Sequence, residues 1–251
     1  MTDILLHGCN GRMGQMIAGL LKEDSEAGIV AGVDAYTGIE NPFPVFSRIS
    51  DCDVKADVVI DFSNAGAADA LLDWCVSTKT PVVLCTTGLS PEQLERVEEA
   101  AKETAVLKSA NMSVGINLLL KLLKEAAPTL AAAGFDIEIV EKHHNQKLDA
   151  PSGTALALAD AINEASDGVY TYVYDRSQVR QKRGSRELGI SAVRGGTIVG
   201  DHDVIFAGTD EVITFEHRAY SRAVFGKGAI QAAKFLAGKP AGRYDMSDVI
   251  G

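Results

Sequence analysis

Lys142, His143, His144 and Lys147 fall within six positions of one another, and Asp149, Pro151, Ser152, Gly153 and Thr154 follow at once. An imidazole titrates at about pH 6.5, so it can deliver a proton at neutral pH. A lysine beside it supplies a fixed positive charge. Ser152 precedes an Ala/Leu-rich run and reads as a helix N-cap, which leaves the amides of Gly153 and Thr154 at the positive end of a helix. Two imidazoles, a lysine, two hydroxyls and helix-end amides together suit a small substrate carrying two carboxylates. Each part has a plainer alternative: a solvated basic loop, an ordinary cap, or a metal-binding His pair. No further His or Cys lies at metal spacing, with His202 and His217 distant in the chain, so no metal is expected.

A second constellation lies at the N-terminus. Gly8, Gly11 and Gly14 form a G-x-x-G-x-x-G loop between the apolar run 3–7 and the helical pattern that starts at Gln15. Glycines there permit a tight turn and close approach of backbone amides to a pyrophosphate. Asp34, twenty positions beyond Gly14, ends the next strand-like run, where a carboxylate accepts ribose hydroxyls. Asn10 stands where the commoner pattern has its second glycine. Cys85, Thr86, Thr87 and Gly88 close a later strand, at the end of a parallel sheet where ligands sit; an ordinary turn explains them equally well.

The elements that must position these groups come in two styles. Up to Asn111, short apolar strands alternate with amphipathic helices, including one that opens with Ser90, Pro91 and Gln93 as cap, first residue and capping-box partner. That alternation predicts α/β architecture, a Rossmann-like doubly wound parallel sheet. Beyond it, a strongly apolar helix, the alternating strand DIEIVEKHH, the helix after Ser152 and three β-rich runs read as hairpins predict an α+β domain with an antiparallel or mixed sheet. The final helix, GKGAIQAAKFLAG, is expected to return to the first domain. The basic stretch Arg176–Arg186 reads as a mobile surface loop rather than a binding element.

The chain has 251 residues and a net charge of −10, which argues against nucleic acid or an anionic membrane as partner. The cysteines Cys9, Cys52, Cys75 and Cys85 are scattered without a C-x-x-C pair, pointing to a reducing compartment. No run approaches membrane-span length, and the N-terminal run lacks a basic leader, so the expectation is a cytoplasmic protein.

The segments GCNGRMG, CTTG, SANMSVGINLLLKLL, EKHHNQKLDAPSGTALALAD and VRGGTIVGDHDVIF resemble, end to end, the dihydrodipicolinate reductase family of lysine and diaminopimelate biosynthesis. The resemblance implies a dinucleotide-binding domain from residues 1–113 and 224–251, a substrate-binding and oligomerisation domain at 114–223, and a homotetramer. It implies NAD(P)H-dependent reduction of 4-hydroxy-tetrahydrodipicolinate, with His143 as proton donor and Lys147 as second catalytic group. His144, Ser152, Gly153 and Thr154 correspond to substrate contacts. Gly8, Cys9, Asn10, Gly11, Arg12, Met13, Asp34, Cys85, Thr86, Thr87, Ser109, Ala110, Asn111 and Met112 correspond to cofactor contacts. Cys85 replaces a common glycine and Met112 a frequent aromatic. Because Asp34 has no neighbouring Arg or Lys, NADH is expected to serve at least as well as NADPH, with Arg12 as the opposing influence. Two other readings remain: another Rossmann reductase of amino-acid metabolism, or a nucleotide-sensing module without turnover.

Overall fold

A computed structural model describes residues 1–178 and 180–251 and divides into two compact units, Met1–Val114 with Ala223–Gly251, and Gly115–Arg222. The chain runs β1 (Thr2–His7), α1 (Arg12–Leu21), β2 (Ala27–Val33), β3 (Val45–Phe46), β4 (Val58–Asp61), α2 (Ala65–Thr78), β5 (Val82–Leu84), α3 (Pro91–Ala101) and β6 (Ala105–Leu107). It continues with α4 (Val114–Ala132), β7 (Asp136–His143), α5 (Gly153–Ala165), β8 (Thr171–Val173), β9 (Glu187–Arg194), β10 (Gly200–Ala207) and β11 (Val212–Ala219). The chain then closes with α6 (Ala223–Leu236), β12 (Gly242–Tyr244) and α7 (Met246–Ile250).

In the first unit seven parallel strands are ordered β12-β6-β5-β4-β1-β2-β3. Strands buried on both faces read as continuous apolar runs, and here the alternation divides them between two cores. Ile4, Leu6, Val58 and Ile60 pack with Ile17 and Leu21 of α1 and with Ala229, Ala233 and Leu236 of α6. Leu5, Val59, Val82 and Leu84 pack with Leu71, Leu72 and Cys75 of α2 and Val97 of α3. The helix expected to return, α6, therefore packs on the first sheet, although the short α7 follows it, and β12 extends the sheet beyond β6. The strand order reverses between β1 and β4, so the crevice at their carboxyl ends is the topological switch point.

In the second unit a mixed sheet is ordered β11-β10-β7-β9-β8. The hairpin reading holds for β10–β11 alone. β7 lies between β9 and β10, antiparallel to β10 and parallel to β9. Alternation tells which face a strand buries but not which strand lies beside it, so the sequence proximity of β9 and β10 misled. α4 and α5 cover one face, packing Leu119, Leu123, Leu158 and Ile162 against Ile137, Ile139, Ile190 and Phe206. The basic stretch is tied down at two points: Arg183 pairs with Asp136 and Glu138, and Arg176 with Glu138 and Glu187. Val179, within that stretch, lies outside the described residues.

Candidate active site

The buried face of β7 carries Ile137, Ile139, Glu141 and His143 in strict alternation. The period of two that builds the core therefore continues, at the strand's end, into a carboxylate and an imidazole. The ladder sets their neighbours: His143 lies level with Arg194 of β9, and Glu141 with His202 of β10. Lys142, on the opposite face, pairs instead with Asp203 at 2.7 Å and leaves the cluster.

Glu141 is fully buried and accepts four hydrogen bonds. Oε2 meets His143 Nδ1 at 2.6 Å, the Ser152 amide donates at 3.0 Å, and the two terminal nitrogens of Arg194 donate at 2.8 and 2.7 Å. Burial alone pushes this carboxyl up, but the bonds from Arg194 and His143 outweigh it and hold it below the ordinary carboxylate value. His143 is lowered, chiefly by burial; Glu141 works the other way, while Lys147 and Arg194 add to the lowering. The ring of His202 stands edge-on to His143 with centroids 5.2 Å apart. Burial drives His202 down to about 4, so it is neutral at physiological pH. Its Nε2 meets the Ser152 hydroxyl at 3.0 Å, and that hydroxyl accepts the Ala155 amide to cap α5.

The structure thus brings His143, Ser152 and the start of α5 together, with half-buried His144 directly after the strand and Gly153 exposed at the helix end. Lys147 is paired with Asp149 at 2.8 Å, which holds the Asp149 carboxyl low. Glu141, Arg194 and His202 were missed by sequence reasoning. The only signal for Glu141 was its i, i+2 spacing from His143; His202 was set aside as distant although the fold puts it against His143. Among the described residues no three His, Cys, Asp or Glu side chains are grouped to hold a metal ion.

In the first unit Gly8 adopts φ +80°, and a Cβ there would lie 2.6 Å from the Phe62 carbonyl oxygen. A Cβ on Gly14 would strike the backbone of Gly8 and Cys9. These two positions let α1 start tight against the turn. Asn10 has a structural reason to replace glycine: its side chain donates to the Tyr36 carbonyl at 2.5 Å and accepts from Asn41 at 2.8 Å. Asp34 accepts the amides of Asn10 and Tyr36 at 3.0 and 2.9 Å, which fixes its carboxylate beside the loop. Gly8, Gly11 and Asp34 line a pocket of about 820 Å³ with Arg48, Phe62, Asn64 and Trp74. Arg48 is the cation that the absence of Arg or Lys next to Asp34 did not foresee; the pairing of β2 with β3 brings its segment there.

The remaining expected cofactor residues are placed differently. Cys9 is buried in the core, its thiol raised to about 11 by burial and by Asp34. Arg12 is exposed at the first turn of α1, followed by half-buried Met13. Cys85, Thr86 and Thr87 follow β5; Ser109 and Ala110 follow β6, Asn111 accepts the Ser113 amide at 2.8 Å, and Met112 is buried in the α1–α6 core. None of these lines that pocket. Thr86 instead joins a buried network the sequence did not announce. Asp61, at the end of β4, accepts His7 Nδ1–H at 2.8 Å, the Ser63 hydroxyl at 2.6 Å and the Thr86 hydroxyl at 2.6 Å. This joins the carboxyl ends of β1, β4 and β5.

Residues 2–112 match the family model for the dihydrodipicolinate reductase N-terminus, and residues 115–250 that for its C-terminus. The chain belongs to the dihydrodipicolinate reductase family. A 4-hydroxy-tetrahydrodipicolinate reductase of Caldanaerobacter subterraneus subsp. tengcongensis is 55% identical over 250 residues, covering 100% of this chain and 98% of that protein. One from Clostridium tetani is 50% identical, covering 98% of this chain and 96% of that protein. Family membership supersedes both alternative readings, and it makes the chain an oxidoreductase. The fold agrees with a dipicolinate-bound dihydrodipicolinate reductase from Paenisporosarcina sp. TG-14, at TM-score 0.79 and 24% identity over 98% of this chain and 97% of that one.

The Asp61 network yields a test of stability. Burial pushes Asp61 up, but bonds from His7, Ser63 and Thr86 outweigh it, so its folded value lies below the ordinary one. A depressed carboxyl contributes stability that is present above its unfolded value, about 3.9, and is lost as pH falls through the folded value. Asp61→Asn should cost about 2–3 kcal/mol at pH 7, because the neutral amide keeps one acceptor oxygen but replaces the other with an NH2 group. It should also flatten the loss of stability below about pH 4. Urea unfolding at neutral and acid pH checks both; a variant within about 1 kcal/mol of wild type would refute the structural role.

Proposed function

We propose that this chain catalyses the reduction of 4-hydroxy-tetrahydrodipicolinate to tetrahydrodipicolinate in lysine and diaminopimelate biosynthesis, using NADH or NADPH. The observation that carries this reading is the buried His143, anchored by Glu141 and lying beside the N-terminus of α5 and the Lys147 loop. The first unit fits a dinucleotide: Gly8 and Gly14 leave no room for a Cβ, the start of α1 faces the turn, and Asp34 is fixed at the pocket. When bound, the reduced nicotinamide supplies a hydride.

Loss of the 4-hydroxyl with a neighbouring ring hydrogen, as water, makes the substrate a conjugated cyclic imine; hydride addition to it places negative charge in the ring, and His143 delivers the proton that neutralises it. Substrate, hydride and one proton give the product and one water, the 4-hydroxyl being the oxygen lost. Lys147 exchanges Asp149 for a substrate carboxylate, and its charge lowers the barrier electrostatically. His144, Gly153 and Thr154 grip the carboxylates at the positive end of α5, whose geometry Ser152 sets by capping it. No protein nucleophile is required. The first unit takes the cofactor and the second the substrate. The exposed Leu118, Leu122, Val212 and Ile213 of the second unit support assembly there into a homotetramer. The four cysteines, all free, favour a cytoplasmic setting.

His143→Gln should lower turnover by roughly 10²–10⁴-fold with cofactor affinity nearly unchanged. Lys147→Ala should lower turnover and raise KM together. Steady-state kinetics with fluorescence titration of NADH checks this, and near-wild-type turnover of His143→Gln would remove it from the mechanism.

NADH should serve at least as well as NADPH. The Asp34 carboxylate can accept both ribose hydroxyls but meets a 2′-phosphate as like charge. Arg48, in the same pocket, and Arg12 oppose that preference. Asp34→Ala should raise kcat/KM for NADPH relative to NADH, and Arg48→Ala should do the reverse. A clear wild-type preference for NADPH would mean that the arginines outweigh Asp34.

A further inference from the structure

We propose that Glu141 is the positioning residue for His143. Its carboxylate, clamped by Arg194, turns Nδ1–H inward, so that the proton passed to substrate leaves from Nε2. The proposal rests on the reading of His143 as proton donor and specifies the atom and the device that aims it.

Four observations carry it. Glu141 is fully buried, two positions before His143 on the same face of β7, so the imidazole and carboxylate are held by one rigid strand. The carboxylate has all its acceptor positions filled: Oε2 takes His143 Nδ1–H and one Arg194 nitrogen, and Oε1 takes the other Arg194 nitrogen and the Ser152 amide. A carboxylate receiving four donors stays ionised, and an ionised carboxylate can bond only to a ring nitrogen that carries a proton. Third, Arg194 is committed to this task, because the nitrogen that binds Oε1 also donates to the Asp149 carbonyl at 2.6 Å. Fourth, the residue opposite the far edge of the ring is Gly200, where an added Cβ would come within 3.1 Å of Nε2. A side chain there would crowd that nitrogen, so this close approach is one that glycine permits.

The charged and titratable groups around His143 are Glu141 on its own strand, Arg194 on β9, His202 on β10, and Lys147 and Asp149 in the loop after β7. Of those that act on its protonation, Glu141 alone favours the protonated ring; burial, Lys147 and Arg194 disfavour it. The same carboxylate therefore selects the tautomer and sustains the acid form. The sign follows. The active form is the protonated one, so turnover falls as pH rises through the His143 value, and removing the Glu141 charge moves that fall to lower pH.

Two measurements test this. In the folded wild-type enzyme, ¹⁵N-histidine long-range correlation spectra, with His143 assigned by its loss in His143→Gln, should give Nδ1–H as the neutral tautomer. An Nε2–H tautomer would overturn the proposal whether or not any variant folds. In kinetics, Glu141→Gln should lower kcat by roughly 10²-fold, change KM by less than about threefold, and shift the alkaline fall to lower pH, with Glu141→Asp recovering part of the loss. An unshifted pH profile would overturn it and mark Glu141 as merely structural. Full turnover in His143→Gln would remove the donor assignment itself, whereas an inactive His143→Gln with the wrong tautomer would leave that assignment standing and refute only the role of Glu141.

Discussion

The arrangement at the end of β7 depends on keeping one ionised carboxylate away from water. Removing an ion from solvent costs several kcal/mol even after relaxation, and Glu141 has no exposed surface. The cost is offset only because donors arrive from three directions: His143 on its own strand, Arg194 from the neighbouring β9, and the Ser152 amide at the head of α5. The carboxylate therefore fastens two strands and a helix to each other around His143. The imidazole, the arginine and the Ser152 amide thus share one acceptor, so their contributions are coupled rather than additive.

The first unit solves a different problem with similar means. A parallel sheet delivers loops to its carboxyl edge, and the reversal of strand order between β1 and β4 opens a crevice there. The loop after β1 must then pass close to the chain after β4, and Gly8 makes that approach possible. Asp61 binds the ends of β1, β4 and β5 around the crevice through His7, Ser63 and Thr86. Asn10 and Asp34 stitch the glycine loop to the end of β2. In both units, a buried acid near a strand end ties together the loops that leave the sheet there.

Much of this was legible in the sequence because it is local. Strand–loop–helix order, the Ser90 capping box, the Ser152 cap and the alternation of β7 all depend on residues within a few positions. What was not legible is carried by pairs far apart in the chain. Glu141 and Arg194 are 53 positions apart, Ser152 and His202 are 50, and His7 and Asp61 are 54. Only the strand order makes them neighbours, and the insertion of β7 between β9 and β10 contradicted the simplest order. Lys142 shows the opposite case: it is adjacent to His143 in sequence, but the pleat turns it to the other face. The two-residue β3, with its consequence for Arg48, was too short to carry a pattern.

Family membership points to one reaction, and that reaction can be tested on the wild-type chain. Dihydrodipicolinate synthase would generate the unstable substrate in the cuvette while NADH and NADPH absorbance are followed. Rapid oxidation of NADH that requires the synthase and its substrates is the predicted result, with consumption matching the substrate formed. A folded chain that binds NADH yet oxidises neither cofactor when the synthase is running would contradict it.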